Sequence, residues 1–338
     1  MLNNIYTFPQ RYLMISVPLT LVIAFIVGTV FDTRFLQPVV LFATIIMIYV
    51  TMIGFNFKEL TSVQGTKVLL FSMMINFLIV PFIAYLLGVT LLREYPVMFA
   101  GLALSALLPT SGMTISWTAI HKGNVPAAVK LTIFGLILGS LLTPWYLLAM
   151  VGQIVNVDIL ATFRTIITVV FVPMILGHVT FKLMMKRMTL AEFKHRVKPA
   201  LAPLSIWAML FIVFVSVSAR ASMIVSNLEL IAIATVVLIL FYLLNFFTST
   251  FFAVKFFNRD DGIALVNGTV LRNLSIAIGL AVASFGAEAA LIVTIAFVVQ
   301  QQGITLYGKV AISRWFKPCT AEADEQPIKQ TVRKPIKA

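Results

Sequence analysis

Apolar blocks of about 20 residues follow one another almost from end to end of this 338-residue chain, with short polar connectors between them. A block of that length with few charges is what crosses a bilayer as a helix rising about 1.5 Å per residue. In hydrocarbon every backbone N–H and C=O must find its partner inside the protein, and a helix does this within a single segment. Charged residues make up 11% of the chain and hydrophobic ones 60%, far too little charge for a soluble domain of this length. The fold class is therefore all-α integral membrane.

Ten spans read out of the pattern, at about 11–31, 36–55, 68–90, 95–120, 126–152, 160–186, 201–221, 228–256, 261–288 and 288–312. Residues 1–312 form a single polytopic domain, and 313–338 read as a disordered, basic cytoplasmic tail. Arg11 precedes the first apolar run and no A-x-A cleavage pattern follows, so that run is a spanning helix rather than a removed signal.

The net charge of +13 lies in connectors and the tail, with no soluble domain to present a nucleic-acid groove. Counted by side, nineteen Lys and Arg fall with the two termini and four (Arg34, Arg93, Arg164, Arg220) fall opposite. Cations favour the cytoplasmic side, which puts both termini there in a multi-pass plasma-membrane protein. The two remaining cations, Lys130 and Arg272, lie inside spans. Cys319 is the single cysteine, which excludes a disulfide, a zinc site or an iron–sulfur cluster. There is no P-loop and no HExxH, so the reading is not an enzyme and needs no cofactor.

Two spans are interrupted. Pro109-Thr110-Ser111-Gly112 breaks the fourth, with Thr114, Ser116 and Thr118 following; Asn267, Gly268, Thr269, Arg272 and Asn273 break the ninth. Irregular backbone at membrane depth is tolerated only inside protein or along a cavity, and its freed groups can hold a ligand. The third span carries Asn76-Phe77 and the eighth Asn245-Phe246, each followed by a broken span and then one more. This weak echo divides the chain into halves of about 8–155 and 158–312, and five spans being odd, the halves are inverted.

No carboxylate lies in the middle of any span, while Arg272 sits deep in one. A positive interior favours an anionic solute over a cation channel or a carboxylate proton relay. Candidate substrate-binding residues are Arg272, Asn273, Thr114, Asn267, Thr269, Gln300, Gln301, Pro109, Ser111 and Gly112; Asn76, Thr132, Lys130, Asn245 and Gly268 are expected to line the cavity or an ion site. Lys130 reads either as a cavity cation or as a side chain snorkelling to the surface. Gln300, Gln301 and Gln302 point in three directions, so one at least faces inward.

At the two broken spans the chain resembles the bile acid:sodium symporter superfamily, which also includes the arsenite permeases. The resemblance is clearest in LLPTSGMTISWTAIHKGNVPAAVKLT (107–132), LLTP (141–144) and VLRNLSIAIGLAVASF (270–285). It implies ten helices in two inverted five-helix repeats. Spans 1, 2, 6 and 7 form a panel, the others a core, and spans 4 and 9 are unwound where they cross. The sodium ligands of the symporter branch are mostly replaced. Thr114 and Ile115 stand for a Ser-Asn pair, and Ala128 for one of two hydroxyls, with Thr132 keeping the other. Gly268 stands for a shared glutamate, and Arg272 and Asn76 for two glutamines. Asn273 and Gln300-Gln301 fall where symporters contact substrate.

The function implied is secondary transport of a small organic anion by alternating access. Arg272 either pairs with the substrate or occupies the space of a sodium ion as a tethered cation. The coupling ion, sodium or proton, stays open. An arsenite or oxyanion permease is the alternative within the superfamily, although Leu108 and Ile276 stand where that branch has its cysteine and glutamate. A non-transporting receptor or scaffold on the same fold is the alternative outside it. The partners implied are the lipid bilayer and a small anionic solute.

Overall fold

The computed structural model describes residues 2–54, 65–154, 159–226 and 228–316, and among them there is no strand. The chain opens with α1 (Leu2–Arg11), which the hydropathy pattern does not announce, and runs on into α2 (Leu13–Val30) and α3 (Gln37–Met52). Three later rods are each widened by a π turn. Ile75–Ile79 separates α4 (Thr66–Met74) from α5 (Val80–Leu91), and Ile167–Phe171 separates α9 (Ile159–Ile166) from α10 (Val172–Met184). Phe193–Val197 separates α11 (Leu190–Glu192) from α12 (Lys198–Ser218).

Each of these turns ends just ahead of a proline: Pro81, Pro173 and Pro199. Proline offers no N–H to the carbonyl four residues back and crowds it with its ring, so the helix opens locally. At Pro81 the carbonyl left over is that of Phe77, and the Tyr146 hydroxyl donates to it.

The remaining elements are α6 (Pro96–Leu107), α7 (Gly112–Ile120), α8 (Val125–Val151), α13 (Ala221–Ser226), α14 (Leu228–Phe256), α15 (Arg259–Val270), α16 (Leu274–Ser284) and α17 (Ala287–Trp315). Among the described residues, five continuous helical stretches are long and apolar enough to cross a membrane: Thr66–Leu91, Val125–Val151, Leu190–Ser218, Leu228–Phe256 and Glu288–Ile312.

Three boundaries differ from the sequence reading. The connector after the sixth span is largely helical, because Thr189 and Glu192 form a reciprocal capping box that starts α11. The break in the ninth span is confined to residues 271–273, while Asn267, Gly268 and Thr269 belong to the last turn of α15. Residues 313–315, expected in the tail, complete α17, and the tail from 317 onward lies outside the described residues.

Packing divides the helices into two groups. α2, α3, α10 and α12 lie against one another, while α4 to α8 and α14 to α17 form the other body, with α6 along α17 and α15 along α14. Large apolar side chains face outward, and a few polar ones are fully enclosed. Phe247 is 72% exposed and Phe82 64%, while Asn245 and Gln300 are at 0%. An exterior this apolar is stable only in a lipid surround.

Close approach of α6 to α17 depends on Gly101. A methyl group there would collide with the Ala289 carbonyl and Cα, backbone atoms that cannot swing aside. Gly101→Ala should cost about 1–3 kcal/mol, read as a lower unfolding midpoint in detergent. Gly279→Ala, whose nearest neighbour would be Thr44 Oγ1 at 3.4 Å, should leave the midpoint unmoved. Equal losses in the two variants would refute this account of the packing.

Candidate functional site

The fourth span breaks because Pro109 cannot continue it. Leu108, ahead of the proline, leaves the helical region at φ −104°, ψ 81°. Thr110 then takes φ +61°, a left-handed conformation unusual for a β-branched residue. Its hydroxyl is held by the carbonyls of Pro109 at 2.7 Å and Thr132 at 3.3 Å. Ser111 restarts the helix: its Oγ accepts from the Met113 N–H at 3.3 Å, and its own N–H donates to Thr114 Oγ1 at 3.2 Å. In the ninth span Leu271 is extended, and Asn273 caps α16 by accepting from the Ile276 N–H at 3.4 Å. The two unwound segments meet antiparallel. Pro109 lies opposite Arg272, and the Asn273 N–H donates to the Leu108 carbonyl at 2.8 Å.

Arg272 sits inside this crossing at 1% exposure, with no carboxylate paired to it among the described residues. Nη1 donates to Asn76 Oδ1 and, at 3.0 Å, to the Thr269 carbonyl; Nη2 donates to the Ala106 carbonyl. Ala106 and Thr269 lie in the last turns of α6 and α15, where helix carbonyls lack intrahelical partners and the dipoles end negative. The guanidinium thus closes the C-terminal ends of both broken half-helices at once. Of its side-chain nitrogens only Nε is left without a partner among the described residues.

Amide side chains complete the arrangement. Asn76 donates to the Gly268 carbonyl at 2.9 Å and Asn245 to the Thr269 carbonyl at 3.1 Å, so the two echoed asparagines land on consecutive carbonyls of α15. Gln300 treats Arg272 as a neighbouring strand would: Oε1 accepts its N–H at 2.8 Å and Nε2 donates to its carbonyl at 3.4 Å. Tyr242 supports Gln300 Oε1 at 3.0 Å, and the Thr269 hydroxyl donates to Ser249 Oγ at 2.6 Å. The pattern did not single out Tyr242, Ser72 or Ser249. Ser72 precedes Asn76 by four residues and donors at that spacing share a helix face, as Asn245 and Ser249 do.

The accessible edge of the crossing is formed by Ser111, Gly112 and Asn273, all half-buried, at the starts of α7 and α16. Thr114 is fully buried behind Ser111, and Gln301 donates to Met113 Sδ at 2.8 Å. Gln300 and Gln301 face inward and Gln302 is exposed. Three expected residues lie elsewhere. Lys130 reaches Thr66 Oγ1 at 3.3 Å at the start of α4, and the Thr132 hydroxyl bonds back to Ala128 at 2.8 Å. Gly268 packs on Leu131, whose Cδ1 would lie 2.5 Å from a Cβ, so leucine fills the space a longer residue there would need.

Asn267 also points away from the crossing. Its Nδ2 donates to Thr118 Oγ1 at 3.1 Å and lies 3.5 Å from Nδ1 of His121, in the connector beyond α7. Burial holds the His121 imidazole below the usual histidine range; the Asn267 hydrogen bond opposes this, and the charge of Arg259 adds to it.

Replacing Gln300 by leucine strips partners from the Arg272 N–H and the Tyr242 hydroxyl while keeping the volume. Leaving buried groups unpaired costs about 1–3 kcal/mol each. Gln300→Leu should therefore melt clearly earlier, and Gln302→Leu, on the exposed side, should not. An unchanged midpoint for Gln300→Leu would remove the capping role.

A model described as the sodium bile acid symporter family matches residues 38–227, a stretch that includes the first broken span and ends before α14. The uncharacterized protein YbaS of Bacillus subtilis (strain 168) is 24% identical over 271 residues, covering 79% of this chain and 87% of that protein. The match takes in more than half of the chain, and the apolar exterior, the long apolar helices and the crossing agree with it. The chain belongs to the sodium bile acid symporter family of multi-pass membrane transporters.

Proposed function

We propose that this protein is a secondary active transporter of a small organic anion that works without sodium. In this reading ten spans form two inverted five-helix repeats in the plasma membrane, with both termini cytoplasmic and alternating access at the crossing. The observation that carries it is the guanidinium of Arg272, ringed by the Ala106 and Thr269 carbonyls and Asn76 Oδ1. Oxygens gathered at half-helix C-termini are what a transporter offers a coupling cation. Here the cation is covalently tethered, and a sodium ion at the same place would be repelled. The substrate's anionic group is received at the starts of α7 and α16, where first-turn N–H groups and the dipoles favour negative charge. Ser111, Gly112 and Asn273 supply the contacts, and Thr114, Gln300 and Gln301 position them. Arg272 acts chiefly through its field, because its terminal nitrogens are already bonded.

The test is thermal stabilisation of purified protein by taurocholate and by short carboxylates, in sodium chloride and in choline chloride. A ligand at a hundredfold over its Kd stabilises by about 2.7 kcal/mol, and the two salts should give the same shift. Arg272→Ala empties the oxygen cage, so its midpoint should fall and sodium should raise it again, with wild type indifferent. Steep sodium dependence in wild type would overturn the tethered cation.

A further inference from the structure

The cluster beyond α7 takes no part in holding the crossing, yet it contains a buried amide oxygen with no donor. Asn267 on α15 is 1% exposed, and its Oδ1 has no partner among the described residues. Its Nδ2 is the atom that faces His121 Nδ1, at 3.5 Å. With the amide nitrogen turned to the ring, Nδ1 is the acceptor, and the neutral imidazole carries its proton on Nε2. The ring is fixed against Trp117, centroids 5.2 Å apart, and against Gly308 of α17, where a Cβ would collide with Nε2. An unsatisfied acceptor beside a ring one proton short of a donor calls for an explanation.

We propose that His121 and Asn267 form a proton-binding site that couples protonation to the crossing. A proton from water reaches Nδ1 through the 9% of the residue left exposed. Nδ1–H then faces Nδ2–H, two donors in contact, and the Asn267 amide turns over so that its orphaned oxygen accepts from the imidazolium. The turn releases Thr118 from Nδ2. Thr118 Oγ1 donates to the Thr114 carbonyl at 2.7 Å, within the capped first turns of α7. On the other side Asn267 directly precedes Gly268, whose carbonyl Asn76 holds. One proton is therefore felt by both broken helices.

The charged groups around the pair are accounted for. Arg259 Nη2 donates to the His121 carbonyl at 3.4 Å, and its Nη1 meets Asp260 at 3.2 Å. Asp261 accepts from Asn124 at 2.7 Å. Lys122 follows His121 and Lys309 follows Gly308, and both are exposed. None of these carboxylates bonds the ring, so burial keeps it neutral at pH 7 and it charges only on the acid side of 6.5. The inference rests on the transporter reading, in which a proton takes the place of sodium as the coupling ion.

The full-length protein with Trp145, Trp207 and Trp315 changed to Phe keeps Trp117 as its one tryptophan. Titrated in detergent from about pH 8 to about pH 5, its emission should fall in one step below pH 6.5, as the neighbouring imidazole, centroid 5.2 Å away, becomes charged. His121→Gln should abolish the step, and Asn267→Asp should raise its midpoint by about one pH unit or more. A missing step, or one that survives His121→Gln, overturns the site. Coupling is read on Met113→Cys with Cys319→Ser, by maleimide labelling at the crossing corrected against free cysteine. A corrected rate that changes severalfold over the same range, and no longer does so with His121→Gln, supports coupling; a flat rate overturns it. Neither readout needs a substrate, so failure of anion binding in the salt comparison would count against the transporter reading alone.

Discussion

One guanidinium reconciles two interrupted helices with a medium that allows no unpaired backbone. Breaking a helix at membrane depth frees carbonyls at one end and N–H groups at the other. Here the carbonyl ends of α6 and α15 are drawn onto Arg272 from opposite sides, together with Asn76 from the π turn of the third span. Without a cation those two negative ends would repel each other across the crossing. With it, the negative halves are sealed inward, and the positive starts of α7 and α16 keep the accessible edge.

The same need for partners explains four other side chains. Gln300 supplies both halves of a strand-like pairing to the backbone of Arg272. Asn76 and Asn245 cap neighbouring carbonyls from two different helices. Tyr146 stands in for the N–H that Pro81 lacks. Each of these side chains can be traced to a break or a proline that created the demand. Asn267 Oδ1, by contrast, is left without a donor among the described residues.

Much of this was legible in residue order. Pro109 to Gly112 and the Arg272-Asn273 pair marked both interruptions, since a polar run inside an apolar block has no other use at that depth. The ninth break was placed too early, because Gly268 and Thr269 look like breakers but complete a helical turn whose carbonyls are capped from the π turn between α4 and α5 and from α14. The helical connector before α12 could have been read from the Thr189-Leu-Ala-Glu192 capping box. His121 was passed over as a connector residue; nothing in a linear pattern places it against α15 and α17.

What the sequence alone determined was the class of protein: apolar blocks, a charge bias between connectors, two polar interruptions and a cation in the second. Those are local properties, and the bilayer acts on each block separately. What only the tertiary structure decided was where that cation goes. The partners of Arg272 come from residues 76, 106 and 269 on three different elements. The choice between holding a substrate and holding the protein together is made by which oxygens the packing brings within reach. Here packing brings three oxygens of the protein itself, so the charge is enclosed and the helix starts are left to form the accessible edge.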